Sequence, residues 1–270
     1  MPFAGGIWYE EQGVGSPIVF VHGWCMSSAI WEFQREPIAA DHRFIALDLR
    51  GHGRSASIQD GIKGFAGYAA DLVDLVKQLD LHNLIVVGWS LGAQAALAAY
   101  PFFKDRLAGL VLVGATPRFS AAPHFAFGLA PKEAEGMRLK VRRNIGRALE
   151  GFHRNLFADD ELDDPARAQQ IAELLATVVP PSADSALEGL ETLMEEEVMD
   201  QTRHVTCPVL LLHGDQDRVC LPAASVWLEQ AIVGSRRISY AGCGHTPFLS
   251  RSARFNQDLL AFVRGLCGTY

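Results

Sequence analysis

The sequence predicts an α/β protein built on a largely parallel sheet. Short apolar runs alternate with stretches of helical periodicity through most of the 270 residues, which is the pattern of strands joined by crossover helices. Of these residues, 49% are hydrophobic and 20% are charged. The chain therefore has the composition of a folded globular protein and is neither disordered nor fibrous.

Six apolar runs are the strand candidates. They lie at residues 18–21, 44–47, 84–87, 110–113, 209–212 and 237–240. Helical periodicity occurs between or after them, at residues 28–40, 65–79, 91–100 and 252–263. In the second of these stretches Leu72, Val76 and Leu79 recur at the spacing of one helix face.

The alternation stops between residues 117 and 205. This stretch keeps helical periods but contains no convincing strand, and connections between neighbouring strands are normally much shorter. We therefore expect an all-helical cap at residues 117–205, inserted into a core formed by residues 1–116 and 206–270.

Charge and cysteine content argue against several functions. A net charge of -7 and a pI of about 5.7 disfavour a general nucleic-acid binder. The five cysteines are scattered without a CxxC pair, which indicates neither a disulfide framework nor a zinc site, and we expect no metal. The first residues lack the pattern of a signal peptide, and no apolar run is long enough to cross a bilayer. We expect a soluble cytoplasmic protein.

The G-x-S-x-G motif at residues 88–92 is the strongest sign of chemistry. It joins an apolar run to an alanine-rich helix, which is the setting of a nucleophile elbow. Its two glycines leave room for the strained backbone of Ser90, and the helix directs its positive end toward the hydroxyl. Ser90 is therefore the predicted nucleophile, in preference to a plain Gly-Ser turn.

A serine hydroxyl needs a base that takes its proton. In this kind of site the chain order is serine, acid, histidine, and His245 follows the last apolar run. His52 and His213 are rival bases, but each ends or directly follows a strand, and we interpret both as structural.

The base in turn needs a carboxylate that orients it. Asp215 and Asp217 both follow the run at residues 209–212, in a loop of the kind where ligand sites of open α/β sheets gather. Asp215 can instead brace its own turn through its side chain. The residues alone leave both carboxylates open.

Two backbone N–H groups are expected to form an oxyanion hole. One belongs to the residue after the nucleophile, Leu91, and the other to the loop after an earlier strand. The His-Gly-Trp sequence at residues 22–24 follows the first apolar run, so Trp24 supplies the second predicted N–H. The indole of Trp24 is also a candidate for the wall of the substrate pocket.

With these residues placed, the chain resembles the α/β-hydrolase superfamily over essentially its whole length. The matching motifs occupy residues 21–24, 48–55, 88–92, 214–219 and 244–245. The resemblance implies an α/β-hydrolase fold, with a mostly parallel central sheet flanked by helices and an all-helical cap, and it implies no cofactor. It also implies that Asp217 is the triad acid, because the G-x-x-D-x-V pattern of the superfamily places the acid there.

Within the superfamily the chain is most similar to the biotin-pathway esterases that cleave the methyl ester of pimeloyl-[acyl-carrier protein]. The similarity lies at residues 22–24, 88–92, 186–191 and 245–250. It implies an ester delivered by an acyl carrier protein, with Phe152 in the substrate pocket and Arg147 among the cations of the cap.

The cap pattern gives partial support for such a partner. Basic side chains fall near one helical stripe and apolar ones near another: Lys140, Arg143, Arg147 and Arg154 against Val141, Ile145, Leu149 and Phe152. These two faces suit an acidic carrier with a fatty tail, so Arg143 and Arg147 are the predicted carrier contacts. The alternative is a solvated helix face. Gly146 and Gly151 are expected to interrupt the helix, and acidic runs at residues 159–161 and 195–197 count against a carrier.

The sequence thus predicts a cofactor-free serine carboxylesterase for a small-molecule or carrier-bound ester, without a nucleic-acid or membrane partner. A general short-chain carboxylesterase and a haloperoxidase-like perhydrolase are rivals that use the same triad. From another class, a ligand-sensing receptor of this fold is a rival, because an intact triad does not exclude one.

Overall fold

A computed structural model describes residues 3–55 and 60–267, and eight strands within them form one sheet. The strands are β1 (Phe3–Ala4), β2 (Ile7–Gln12), β3 (Pro17–Val21), β4 (Arg43–Leu47), β5 (Leu84–Trp89), β6 (Leu107–Val113), β7 (Val209–Gly214) and β8 (Arg236–Tyr240). Their order is β1-β2-β4-β3-β5-β6-β7-β8. Strand β2 pairs antiparallel with β1 and β4, and all other pairs are parallel. The predicted mostly parallel sheet is confirmed.

Helices flank the sheet and fill its long connection. They are α1 (Glu32–Ala39), α2 (Gly64–Gln78), α3 (Leu91–Phe103), α4 (Pro131–Arg143), α5 (Ile145–Asn155), α6 (Pro165–Thr177), α7 (Ala183–Glu195), α8 (Met199–Thr202), α9 (Pro222–Ala231), α10 (Pro247–Ser250) and α11 (Ser252–Cys267). Helix α2 packs against α3, and α1 packs against α11. Within the described ranges, no helix combines the length and the apolar character that crossing a bilayer requires.

The central strands are apolar because both of their faces are covered. Every residue of β5 and β7 is buried, as are four of the five residues of β3. Parallel strands between two helix layers lack the polar face of a solvated sheet, so they appear in the sequence as continuous apolar runs. This explains why the sequence predicts the central strands well. The candidate site residues follow the ends of β3, β5, β7 and β8.

Four elements were not predicted, namely β1, β2, α9 and α10. Strand β2 belongs to the antiparallel edge, where Ile7 and Tyr9 are buried while Glu11 is exposed. Its short alternating pattern is less distinctive than a buried run. The predicted helix at residues 28–40 is in fact a 3-10 turn at Ser28–Trp31 followed by α1.

Residues 117–205, which we call the cap segment, contain α4 to α8. The chain leaves the sheet after Val113 and returns at Val209. An isolated bridge between Arg118 and Glu197 and the hydrogen bond from Val198 N to Pro117 O, at 2.8 Å, close the base of this segment. The cap segment therefore leaves and re-enters the core at one place.

The prediction that the basic side chains of the cap share one helical stripe is wrong in one respect. The helix breaks at Asn144, whose extended backbone separates α4 from α5 and whose carboxamide oxygen accepts from Arg147 N at 3.0 Å. Asparagine is a favoured N-cap because its side chain satisfies a free N–H at a helix start. Gly146 and Gly151 do not interrupt α5. Arg143 thus ends one helix, and Arg147 begins the next.

Candidate active site

Ser90 lies in a strained turn between β5 and α3. Its backbone has φ 55° and ψ −118°, a left-handed conformation that non-glycine residues rarely adopt. A Cβ on Gly88 would lie 2.5 Å from Gly92 O, and one on Gly92 would lie 2.3 Å from Val21 O. Both positions of the motif therefore require glycine, and the serine backbone is held against the end of β3.

The loop after β3 packs against this turn. A Cβ on Gly23 would lie 3.2 Å from the Cβ of Ser90, so the backbone that leads to Trp24 passes close to the serine. Among the hydrogen bonds of residues 3–55 and 60–267, none uses the N–H of Trp24 or of Leu91. Two donors are thus free to bind an anion beside Ser90.

His22 holds the same loop. Its Nε2 accepts from Leu49 N at 3.0 Å, so the ring proton is on Nδ1, which donates to Gly23 O at 2.7 Å. Burial lowers the pKa of His22 to about 4, which keeps the ring neutral. Because Gly23 O and Trp24 N belong to one peptide group, this bond also orients the N–H of Trp24.

Asp217 is the carboxylate that contacts His245. Its Oδ2 lies 2.7 Å from His245 Nδ1, and its Oδ1 accepts from Val219 N at 2.8 Å and from Cys220 N at 3.0 Å. Burial raises the pKa of Asp217, but its attraction to His245 and its hydrogen bonds to His213 and His245 outweigh burial and hold that pKa well below its ordinary range. The carboxylate is therefore ionised and orients the His245 ring.

The alternatives from the sequence occupy other places. Asp215 is exposed, and its Oδ1 accepts from Gly242 N at 2.8 Å, so it braces the turn. His52 packs against His22 with ring centroids 5.2 Å apart. His213 contacts the carboxylate of Asp217, with its Nε2 3.1 Å from Asp217 Oδ2 and 2.8 Å from Cys220 O.

Ser90 and His245 share neighbours but are not hydrogen-bonded in this structure. Ser90 N donates to Val113 O at 3.0 Å, and a Cβ on the next residue, Gly114, would lie 2.9 Å from His245 Nδ1. The Nε2 of His245 is buried and has no hydrogen-bond partner among the described residues. The hydroxyl of Ser90 instead lies 4.0 Å from the Sγ of Cys220, a residue that follows Asp217 in its turn and that no sequence motif singled out.

Trp24 and Phe152 meet across the boundary between core and cap segment. Their rings are edge to face with centroids 5.1 Å apart, and Trp24 Nε1 donates to Ala186 O of α7 at 2.8 Å. Both side chains are buried. The two residues predicted to line a pocket thus pack against each other, beside the loop that carries the free N–H of Trp24.

The cations of α4 and α5 differ in their partners. Arg138 and Arg142 lie 3.8 and 3.5 Å from Glu191. Arg143 and Arg147 are exposed, and in the described part of the chain neither side chain has an ion-pair partner; the same holds for Lys140 and Arg154. Lys132 on α4 also lacks an ion pair, so among the described residues α4 and α5 carry five unpaired cations and two unpaired carboxylates, Glu133 and Glu150. Nowhere in the described ranges do three His, Cys, Asp or Glu side chains come together in a way that could hold a metal ion.

Comparison with known proteins identifies the class. The model of the α/β hydrolase fold family matches residues 16–252, and the chain belongs to this family, which confirms the predicted resemblance. Pimeloyl-[acyl-carrier protein] methyl ester esterase of Nitrosospira multiformis is 26% identical, over 96% of this chain and 98% of that protein.

Two further similar proteins have other descriptions. A non-heme haloperoxidase of Rhodococcus erythropolis is 30% identical, over 95% of each chain. The structure of an esterase from Exiguobacterium antarcticum has a TM-score of 0.87 at 26% identity and covers 96% of this chain and 95% of its own. The relatives within this family are thus named for two kinds of activity, that of an esterase and that of a haloperoxidase.

Proposed function

We propose that this protein is a Ser90-His245-Asp217 esterase that cleaves the methyl ester of pimeloyl-[acyl-carrier protein]. The observation that carries the proposal is the 2.7 Å contact between His245 Nδ1 and Asp217 Oδ2 beside the strained Ser90 turn. The coarser assignment follows from the family and its esterase relatives: the protein is a serine hydrolase that acts on carboxylic ester bonds.

The reaction begins with the hydroxyl of Ser90. A rotation about its Cα–Cβ bond exchanges the Cys220 contact for a hydrogen bond to His245 Nε2, the buried atom that has no other partner. Hydrogen bonds between catalytic groups are often long or poorly aligned before the substrate binds. Ser90 Oγ then attacks the ester carbonyl while His245 takes its proton, and Asp217 stabilises the imidazolium.

The N–H groups of Trp24 and Leu91 stabilise the carbonyl oxygen as it becomes negative. Losing one such donor typically costs about 3 kcal/mol of barrier. The intermediate collapses when His245 returns the proton to the departing methoxide, which leaves as methanol. Water, deprotonated by the same ring, then releases the acid and restores the hydroxyl of Ser90.

Two observations support a carrier-bound substrate over a free one. The relative from Nitrosospira multiformis is named for such a substrate, and the five unpaired cations of α4 and α5 outnumber the two unpaired carboxylates there among the described residues. An acyl carrier protein is acidic, so these charges would steer its approach and set its orientation. The apolar acyl chain would then pack against the Trp24–Phe152 pair.

The second candidate is a haloperoxidase-like perhydrolase or a general short-chain carboxylesterase. The similarity to the Rhodococcus erythropolis haloperoxidase, at 30% identity, favours the first of these, and the Exiguobacterium antarcticum esterase favours the second. Both would use the same triad and oxyanion donors but need no cations on the cap segment.

A charge-reversal experiment separates the candidates. The double variant Arg143→Glu/Arg147→Glu is compared with the control Arg236→Glu. Arg236 is an exposed residue of strand β8 that has no ion-pair partner in the described part of the chain. We expect kcat/KM for the carrier-bound methyl ester to fall about tenfold in the double variant, more at low salt, while turnover of a free aryl ester is unchanged.

Other outcomes would contradict the carrier substrate. One is an equal loss for both esters, and another is a carrier ester that is not cleaved at all. Formation of peracetic acid from acetate and hydrogen peroxide, without cleavage of the carrier ester, would favour the perhydrolase. As a cellular check, the gene should restore growth without biotin to cells that lack the pimeloyl methyl ester esterase.

A further inference from the structure

The loop between α5 and α6 contacts both loops that carry the acid and the base. The carbonyl of Leu156 accepts from His245 N at 2.7 Å, and the carboxylate of Glu161 accepts from Gly244 N at 2.7 Å. Asp159 forms an ion pair with Arg218, the neighbour of Asp217. Residues 156–161, which we call the clamp loop, therefore join the cap segment to the candidate catalytic loops.

Glu161 is the central residue of this contact. It is only 4% exposed, and both carboxylate oxygens are used. Oε2 accepts from Ala158 N at 2.6 Å and from Gly244 N at 2.7 Å, while Oε1 accepts from the hydroxyl of Ser250. In the sequence this residue belongs to the acidic run at 159–161 that counted against a carrier, but its buried carboxylate does not face an approaching partner. A buried carboxylate is costly unless its hydrogen bonds are satisfied, and here all of them bind the segment around His245 or the clamp loop itself.

The backbone around His245 leaves little freedom at this contact. A Cβ on Gly244 would lie 2.5 Å from Leu156 O, so the two backbone segments are in direct contact. The clamp loop therefore accepts from two consecutive N–H groups, those of Gly244 and His245. Since the direction of the His245 side chain follows from its backbone, these bonds help to set the 2.7 Å contact with Asp217.

We propose that Glu161 is a positioning residue that holds His245 in its productive orientation and couples the cap segment to catalysis. The inference rests on the proposed function, because it takes His245 as the base. Helix α5 supplies the coupling: it places Phe152 against Trp24 and leads directly into Leu156. An acyl chain that moves Phe152 thereby acts on the element that holds His245.

Length-preserving and charge-preserving variants distinguish positioning from a charge effect. In Glu161→Gln, the carbonyl oxygen can accept from Ala158 and Gly244, and the amide can donate to the hydroxyl of Ser250. In Glu161→Asp, the charge stays, but the shorter side chain cannot reach Gly244 and Ser250 together. Asp163→Ala is the matched control, because Asp163 is an exposed carboxylate a few positions along the chain that has no ion pair in the described structure.

The readout is kcat and KM for p-nitrophenyl butyrate, measured well below each variant's unfolding midpoint. For Glu161→Asp we expect kcat to fall about 10- to 100-fold with KM nearly constant, since small misplacements of a catalytic group cost that much. Glu161→Gln should stay within about threefold of the parent, and Asp163→Ala should match it.

Two results would overturn the proposal. One is a Glu161→Asp enzyme with the parental kcat, and the other is a Glu161→Gln enzyme that loses as much as Glu161→Asp. A Ser90→Ala arm separates this from the proposed function. If Ser90→Ala is inactive while Glu161→Asp keeps the parental kcat, only the positioning role fails; if Ser90→Ala turns over normally, both fail.

Discussion

Replacing Asp217 by asparagine should abolish most activity while leaving the fold intact. The two backbone N–H groups of Val219 and Cys220 donate to Asp217 Oδ1, so the asparagine carbonyl must take that position. Its amide then presents N–H to His245 Nδ1, which lies 2.7 Å from Asp217 Oδ2 in the parent. The imidazole must change tautomer, and its Nε2 acquires the proton that it would otherwise accept from Ser90.

The expected loss is large because the base is present but in the wrong tautomer. In serine hydrolases that use this triad, the same change lowers kcat about 10⁴-fold, or about 5 kcal/mol of barrier. The assay is ester hydrolysis at neutral pH, with circular dichroism as the check on folding. Asp215→Asn is the control, since its side-chain oxygen can still accept from Gly242 N, and it should keep the parental kcat. An Asp217→Asn enzyme within tenfold of the parent, or an equal loss in Asp215→Asn, would refute this reasoning.

Two stability measurements test the surroundings of the site. Gly92→Ala places a Cβ 2.3 Å from Val21 O and should lower the free energy of unfolding, measured by urea denaturation, by about 3 kcal/mol. A Cβ on Gly136 would meet no described atom within 4 Å beyond its own helix backbone, so Gly136→Ala should raise it by about 1 kcal/mol. Equal stability of the two variants would contradict the packing argument. Burial lowers the pKa of His52 to about 3, so below its ordinary value of about 6.5 the unfolded chain binds a proton that the folded one does not, and stability decreases as the pH is lowered. Between pH 7 and 5 this residue should remove about 2 kcal/mol, and His52→Gln should flatten the dependence by that amount; an unchanged slope would be evidence against a neutral buried ring.

The parts of the fold that could be predicted are those with a local signal. The runs that became β3, β5 and β7 are buried on both faces, so their apolar character does not depend on which neighbour covers them. Strand β2 was missed because its short alternating pattern acquires meaning only when it pairs with β4. The break at Asn144 had a local signal, the N-cap preference of asparagine, that the periodicity concealed.

The candidate site divides in the same way. Ser90, Asp217 and His245 each follow a strand inside a motif, so parallel strands that end at one edge bring them to one place. The resemblance favoured Asp217 over Asp215, and the contact with His245 is indeed made by Asp217. Nothing in an acidic run indicates that Glu161 is buried, because its partners Gly244 and Ser250 lie more than eighty positions along the chain. Such contacts depend on how the cap segment docks, which short-range patterns do not encode.

Covalent trapping of the nucleophile tests the central claim most directly. The protein is treated with a fluorophosphonate, its intact mass is measured, and the modified peptide is identified; turnover of an aryl ester is followed in parallel for Ser90→Ala. We expect one adduct, on Ser90, and a loss of turnover in the variant of about 10⁶-fold. An adduct on Cys220, whose Sγ lies 4.0 Å from the hydroxyl, or parental turnover by Ser90→Ala, would contradict the account.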